Sequence, residues 1–192
     1  MAEQDKTAYL NTYTDILKEI LMRIFQKYGK FLITQETEIK KHDIMEYNRR
    51  MRVSAMEKFN APGYLSSVSF YRTQKDLDTH HACGALVIHI VEENLKKIFE
   101  ALGITGFDDD DPEHVIKKNG ELCTLVAEEF KKELTAKGYP ELVISKPVGA
   151  RNAIADGVDF GFDQYEKIDM TFSFKNNKIL NVEITLTNLP HR

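Results

Sequence analysis

The chain has 192 residues, of which 42% are hydrophobic and 29% are charged, and its formal net charge at pH 7 is -4. This composition is typical of a globular protein, and the length fits a single domain, 1-192, that can bury a substantial core. The acidic balance argues against general binding to nucleic acid or to an anionic membrane surface.

The amino-terminal residues and the apolar runs predict neither a signal peptide nor a membrane span. The chain begins with the polar MAEQDK, which lacks the apolar core of a signal peptide. The longest apolar run, 85–91, is interrupted by His89 and is much too short to cross a bilayer. Cys83 and Cys123 lie among apolar neighbours, as small buried side chains do in a reducing compartment. We therefore expect a soluble cytoplasmic protein.

The first part of the chain predicts a long helix, a strand and an ambiguous segment. Apolar residues recur at helical spacing over 7–28, and Gly29 follows as a stop signal. Residues 31–41 alternate well enough to indicate a strand. Segment 42–59 fits either a helix or an extended chain, and a turn rich in Pro and Gly follows at 60–63.

The middle of the chain predicts two strands and two helices. The strands lie at 64–72 and 83–91, and a short helix at 92–102 follows them. A longer helix at 112–137 comes next. Asp111 suits its amino-terminal cap and Pro112 its first turn. The aspartates that precede this helix lack the ligand spacing of a calcium loop, so we interpret them as helix-capping residues.

The last third of the chain predicts extended structure. Asn176 and Asn177 suit a tight turn between two strands. The predicted elements are a strand at 142–148, a loop at 149–157, and strands at 168–175 and 178–187. Because helices and groups of strands alternate and no linker divides the chain, the sequence predicts an α+β fold.

The sequence offers little sign of a metal or cofactor site. His80, His81 and Cys83 lie close together, but a zinc site needs more ligands at defined spacing. No glycine-rich phosphate loop, nucleophile elbow or dinucleotide fingerprint is present. We therefore predict no metal and no cofactor.

The helix at 112–137 carries a polar stripe. Lys117, Glu121, Thr124 and Glu128 are three or four residues apart and share a face that lies away from the apolar stripe. Periodicity alone explains such a stripe, since every surface helix has a polar face. The residues that follow the helix favour a second interpretation.

The spacing of this stripe resembles the signature of the CheC/CheX/FliY family of chemotaxis phosphatases. In that signature an Asp or Ser stands four residues before a Glu, and an Asn stands three residues after the Glu. A Pro follows the Asn after 22 intervening residues. The corresponding residues here are Lys117, Glu121, Thr124 and Pro147, so the spacing is kept and two of four residue types match. The resemblance covers about 83–188 and is weaker before residue 83, where 42–64 forms an insertion relative to the family.

The resemblance implies a fold and an assembly. The family has a CheC-like fold with internal pseudo-duplication, in which an antiparallel or mixed sheet carries two long helices side by side on one face. These helices correspond to 7–28 and 112–137. CheX proteins are homodimers joined through sheet edges, and the long apolar carboxy-terminal strands here predict such an edge.

The resemblance also implies a partner, a phosphorylated CheY-like receiver domain. In the family, the Glu pairs with a receiver lysine and the Asn positions the water that attacks the aspartyl phosphate. We therefore expect Glu121 and Thr124 to be the catalytic positions of a chemotaxis (two-component signalling) phosphatase. We expect Lys117, Glu128 and Pro147 to bind the partner together with Glu121. Because a Thr side chain is shorter than Asn and branched at Cβ, the predicted phosphatase activity is weak.

Two alternatives remain, together with a possible second site. Asp15, Glu19 and Met22 on the first helix repeat the motif spacing, which agrees with a vestigial second site of the kind that some family members carry. One alternative is a catalytically inactive binding or scaffolding module of the same fold. The other is a structural domain unrelated to receivers.

Overall fold

The computed structural model describes residues 8–27, 37–153, 157–161 and 163–191. The helices are α1 (Ala8–Lys27), α2 (Ala55–Phe59), α3 (Gln74–Asp78), α4 (Leu95–Ala101) and α5 (Pro112–Ala136). The strands are β1 (Glu38–Asp43), β2 (Glu46–Tyr47), β3 (Arg50–Met51), β4 (Gly63–Tyr71), β5 (Gly84–Val91), β6 (Val143–Ile144), β7 (Val148–Arg151), β8 (Glu166–Phe174) and β9 (Asn177–Leu186).

One sheet organises the fold. Its strands follow the order β1-β8-β9-β5-β4-β6, and β7 also pairs with β4. Every pairing among the described strands is antiparallel. The short strands β2 and β3 form a separate hairpin. The protein therefore has the predicted α+β architecture.

The fold contains two copies of a unit made of one long helix followed by three strands of the sheet. In the chain, α1 is followed by β1, β4 and β5, whereas α5 is followed by β7, β8 and β9. The last strands of the two units, β5 and β9, pair at the centre of the sheet. The first strand of each unit pairs with the middle strand of the other, β1 with β8 and β7 with β4. This exchange is the arrangement expected of an internal pseudo-duplication.

The two long helices lie side by side on one face of the sheet, as predicted. The rings of Tyr13 on α1 and Phe130 on α5 meet edge to face, with centroids 6.4 Å apart. At the surface, Nη1 of Arg23 donates to Oε1 of Glu133 over 3.0 Å. Both helices bury their apolar stripes in one core together with the sheet residues that point towards them.

The start of α5 also agrees with the sequence. The side chain of Asp111 accepts hydrogen bonds from the backbone N–H groups of Glu113 and His114, and Pro112 lies in the first turn. These bonds satisfy two of the donors that a helix start leaves unpaired. The cap sets where α5 begins and therefore which of its residues face outward.

The opposite side of the sheet, here called the second face, has its own small core. Alternate residues of β5 divide between the two sides, with Leu86 and Ile88 under the helices and Ala85 and Val87 on the second face. The segment 42–64, predicted to be an insertion, contains the β2–β3 hairpin and α2. Its residues Met51, Val53 and Ala55 pack on the second face together with Leu65, Val158 and Phe160.

Several predicted boundaries were wrong. The strand predicted at 142–148 is split into β6 and β7, and β7 occupies part of the loop predicted at 149–157. Between the two pieces lies Pro147, which has no N–H for the ladder. The tight turn of the last hairpin is Lys175–Asn176, whose φ angles of 48° and 68° suit a type I′ turn. Of the strand predicted at 31–41, the part before Thr37 lies outside the described residues.

The carboxy-terminal strands do not form the uncovered edge expected from the sequence. Strand β9 lies between β8 and β5, and β1 covers the other side of β8 over residues 166–171. Within the described ranges, the outer strands are β1 at one end and β6 with β7 at the other. The expectation failed because β1, at the far end of the chain, pairs with β8.

Both cysteines are buried and free, as predicted. Burial raises the pKa of Cys83 to about 12, and burial likewise raises the pKa of Cys123. Both thiols therefore behave as small apolar side chains at neutral pH. No helix in the part of the chain that the structure describes is both long enough and apolar enough to span a membrane.

Candidate functional site

The motif positions converge on one groove. Its cavity has a volume of about 530 Å³ and lies between the outward face of α5 and the chain that leads into β7. Lys117, Glu121 and Thr124 line it from the helix, and Pro147 lines it from the opposite wall. Four positions that are spread over 31 residues of sequence (117–147) are therefore neighbours in space.

Two glycines allow the walls of this groove to approach each other. A Cβ at Gly120 would lie 3.2 Å from Cγ of Pro147, and a Cβ at Gly149 would lie 2.8 Å from Cγ2 of Ile116. A glycine inside a helix costs about 1 kcal/mol relative to alanine, so the close contact with Pro147 is a physical reason for Gly120. Neither glycine was singled out from the sequence.

Glu121 presents its carboxylate to solvent at the groove. Its side chain is 51% exposed, and Nζ of Lys118 donates to its Oε2 over 2.9 Å. Such an exposed ion pair stabilises the fold by about 1 kcal/mol or less. The carboxylate can therefore exchange Lys118 for a cation supplied by a partner at small cost. Lys117 is exposed beside it and adds a positive charge to the groove.

The hydroxyl of Thr124 is already engaged. It is partly buried, and its Oγ1 donates to the carbonyl oxygen of Gly120 over 2.9 Å. A hydroxyl has a single hydrogen to donate. In this geometry Thr124 offers the groove only lone pairs, whereas an asparagine amide at the same position offers both donors and an acceptor.

The far end of the groove differs from the predicted stripe. Glu128 is not one of the lining residues and pairs with Lys131 over 3.1 Å, one turn beyond Thr124. The rim is partly apolar instead, since Leu125, which lines the groove, is 45% exposed. Leu125 could have been noticed as an apolar residue on the polar side of α5.

The residues of the predicted second site are not gathered into a comparable groove in the described structure. Asp15 and Glu19 are exposed on α1, whereas Met22 is partly buried and packs against the main core. The chain between α1 and β1, residues 28–36, lies outside the described residues.

His80, His81 and Cys83 have separate surroundings. Nδ1 of His80 lies 3.2 Å from Oδ2 of Asp159, and Nδ1 of His81 lies 2.8 Å from the hydroxyl of Thr79. Cys83 is buried in the main core. Among the described residues, no group of three or more His, Cys, Asp or Glu side chains is arranged to hold a metal ion.

Solved structures show what this fold is similar to. No sequence-family model matches the chain, and no curated protein matches its sequence. A CheC-like superfamily protein from Shewanella sp. PV-4 is 17% identical, with a TM-score of 0.56 over 92% of this chain and 97% of its own. FliY from Thermotoga maritima is 10% identical, with a TM-score of 0.55 over 98% and 94%. CheX from Vibrio vulnificus is 15% identical, with a TM-score of 0.50 over 90% and 99%.

These matches confirm the CheC-like fold that the motif spacing predicted. The shared fold extends over nearly the whole of each chain, including the amino-terminal part where the sequence resemblance was weak. The long helices and the antiparallel sheet therefore form one architecture, similar to that of the CheC-like, CheX and FliY chemotaxis proteins.

Proposed function

We propose that the groove on α5 binds a phosphorylated CheY-like receiver domain, and that the protein acts in chemotaxis or a related two-component pathway. The observation that carries this proposal is the convergence of Lys117, Glu121, Thr124 and Pro147 in one groove of a CheC-like fold. These residues keep the motif spacing in the sequence, and the fold places them around one groove.

Each wall of the groove supplies a different kind of contact. Glu121 accepts hydrogen bonds from a lysine of the receiver, with Lys118 as its partner in the unbound state. Leu125 on the helix and Pro147 on the opposite wall supply apolar area, where partly exposed apolar side chains gain from burial against a partner. Lys117 adds a positive charge that attracts the anionic phosphorylated site.

The second part of the proposal concerns hydrolysis of the receiver's aspartyl phosphate, for which the groove has a poorer side chain than the family signature. Positioning an in-line water needs a group that holds it in a fixed direction. Thr124 has committed its hydrogen to Gly120 and reaches less far than asparagine. We therefore expect slow turnover at best. The runner-up function, an inactive binding module of the same fold, is favoured by this hydrogen bond.

The experiment that tests this function mixes the protein with a panel of receivers, each phosphorylated by a small phosphodonor. Complex formation and phosphate release are followed in the same samples. Binding that depends on phosphorylation supports the proposal, and phosphate release above the receiver's own rate distinguishes a phosphatase from a binding module. Absence of binding to every receiver would favour the structural domain unrelated to receivers.

The homodimer remains a prediction, but the sheet edge that would form its interface differs from the one expected from the sequence. Because β8 is covered, a sheet-edge dimer formed by the described strands has to use β1 or the edge made by β6 and β7. Strand β1 reads EIKKHD and is exposed throughout, and such charged edges resist pairing. Strand β7, next to the groove, is the better candidate. Sedimentation at tens of micromolar tests the prediction, and a monomer there contradicts it.

A further inference from the structure

A cavity on the second face lies across β7 from the groove on α5. Its volume is about 640 Å³, within the range of small-molecule sites. Gly149 lines both the cavity and the groove, whereas its neighbours Val148 and Ala150 line only the cavity. A ligand in this cavity would therefore leave the groove unoccupied.

Three side chains that line the cavity converge on the carboxylate of Asp159. Nε of Arg50 lies 3.1 Å from its Oδ1, and Nδ1 of His80 lies 3.2 Å from its Oδ2. The hydroxyl of Tyr71 donates to the same Oδ2 over 3.2 Å. Burial, together with the charge of Asp159, raises the pKa of Tyr71 to about 12, so this hydroxyl keeps its hydrogen at neutral pH. Asp159 therefore holds Arg50 and His80 close to each other.

The backbone also fixes the positions of Arg50 and His80. Gly157 has a φ of 103°, and a Cβ there would lie only 2.4 Å from Cβ of Arg50. Met51 and Val158 exchange two backbone hydrogen bonds of 2.9 Å beside this contact. His80 has a φ of 56°, a left-handed conformation that a residue other than glycine keeps only where its surroundings hold it.

Both side chains keep hydrogen-bonding groups that a ligand can reach. The side chain of His80 is 72% exposed and that of Arg50 is 44% exposed. Because Asp159 accepts from Nδ1 of His80, the neutral ring carries its hydrogen there and leaves a lone pair on Nε2. Asp159 engages only Nε of Arg50, and a guanidinium has four further N–H donors on its two terminal nitrogens.

The charges around the cavity favour an anion. Its lining residues include two permanent cations, Arg50 and the exposed Lys146, and one carboxylate, Asp159, although the whole chain has a net charge of -4. A phosphate monoester suits Nε2 of His80 because its second pKa is about 6. Near neutral pH one proton is therefore shared between phosphate and imidazole. A sulfate ester has no such proton to share.

We propose that this cavity binds the phosphate group of a small phosphomonoester. The terminal N–H groups of Arg50 donate to the phosphate oxygens, and Nε2 of His80 shares a proton with the phosphate. The organic part of the ligand packs against the apolar lining residues Leu77, Ala150 and Val158. This site does not depend on the proposed receiver binding.

Calorimetric titration of the full chain with phenyl phosphate at millimolar concentration, near neutral pH, tests this proposal. Saturable binding with one-to-one stoichiometry is expected, and phenyl sulfate should bind about tenfold more weakly or less well still. Arg50→Gln and His80→Asn should each weaken the binding of phenyl phosphate by about tenfold or more, and asparagine tolerates the backbone conformation at position 80. The matched control is His81→Asn. Because Nδ1 of His81 contacts the hydroxyl of Thr79 and His81 does not line the cavity, this change should leave the affinity within twofold.

A second measurement covers the case in which the variants do not fold. In the unmodified protein, the imidazole NMR signals of His80 should move with the same dissociation constant as the calorimetry, whereas those of His81 should stay in place. Absence of saturable binding overturns the proposal. So does equal binding of phenyl sulfate, an equal effect of His80→Asn and His81→Asn, or signal changes confined to other surfaces.

Discussion

The hydroxyl of Thr124 donates to the carbonyl oxygen of Gly120, one turn earlier on α5, over 2.9 Å. This bond removes the only hydrogen that Thr124 could offer to a water in the groove. The same position holds asparagine in the signature that the chain resembles. On the proposed function, the groove keeps the motif spacing of a phosphatase site, whereas the side chain at the water-positioning place is turned towards the helix backbone.

Replacement of Thr124 by asparagine should restore part of the chemistry. Loss of one positioning group commonly lowers a rate about a hundredfold, which corresponds to about 2.7 kcal/mol of barrier. We expect Thr124→Asn to raise phosphate release from a bound receiver, and the addition of Lys117→Asp to raise it further. Single-turnover release of phosphate measures both. If release stays unchanged while the receiver still binds, the groove is an interaction surface only.

Removal of Lys118 should strengthen receiver binding slightly. Its ammonium group occupies Oε2 of Glu121 in the unbound protein, so an incoming lysine has to displace it. Because exposed pairs contribute about 0.2 to 1 kcal/mol, Lys118→Ala should lower the dissociation constant by about fivefold or less. Lys131→Ala, which frees Glu128 in the same way, is the matched control and should leave the constant unchanged. Weaker binding of Lys118→Ala would mean that Lys118 itself contacts the receiver.

A buried asparagine in α5 should limit stability. Asn119 is fully buried, and neither Oδ1 nor Nδ2 has a partner in the described structure. Unsatisfied buried polar groups cost about 1 to 3 kcal/mol, and leucine has similar volume with better helix propensity. Asn119→Leu should therefore raise the free energy of unfolding, measured with urea. Asn119→Ala controls for loss of volume. A destabilised leucine variant would show that the amide is paired in solution.

The pH dependence of stability should reveal Glu183. Its pKa in the folded protein is held well below the usual value of 4.5 by His89, Lys167 and Lys58 despite burial. A lowered folded pKa adds stability above pH 4.5 that is lost as the pH falls towards the folded pKa. Glu183→Gln should therefore be less stable than the unmodified protein at pH 7, and the gap should shrink below about pH 4.5. Urea unfolding across this range measures the gap, with exposed Glu128→Gln as control. A gap independent of pH would contradict the assignment.

Sequence patterns were sufficient where the relevant residues are close in the chain. The apolar stripe, Asp111 and Pro112 predicted α5 almost to the residue, and three of the motif positions on α5 line the same groove as Pro147. These features rest on helical periodicity and local capping, which act over a few residues. The CheC-like fold followed from that one helix and its neighbours.

The remaining features depend on contacts between distant segments. The cluster around Glu183 joins residues from four segments, with His89 from β5 and Lys58 from α2, and no local pattern marks them as partners. The paired residues of β1 and β8 are more than 120 residues apart in the chain. The sequence therefore could not predict that β1 covers the free edge of the β8–β9 hairpin. The sequence predicted that Thr124 is a weak catalytic residue because its side chain is short. Its hydrogen bond to Gly120 could be recognised only from the structure.

The affinity of a phosphorylated receiver for two matched variants tests the central claim most directly. Glu121 and Glu128 lie on the same helix, and each is paired with a lysine three residues away, but only Glu121 lines the groove. The account predicts that Glu121→Ala weakens binding by about tenfold or more, roughly 1.4 kcal/mol, and that Glu128→Ala changes it by less than twofold. If the two changes weaken binding equally, or if neither changes the affinity, the receiver does not bind in this groove.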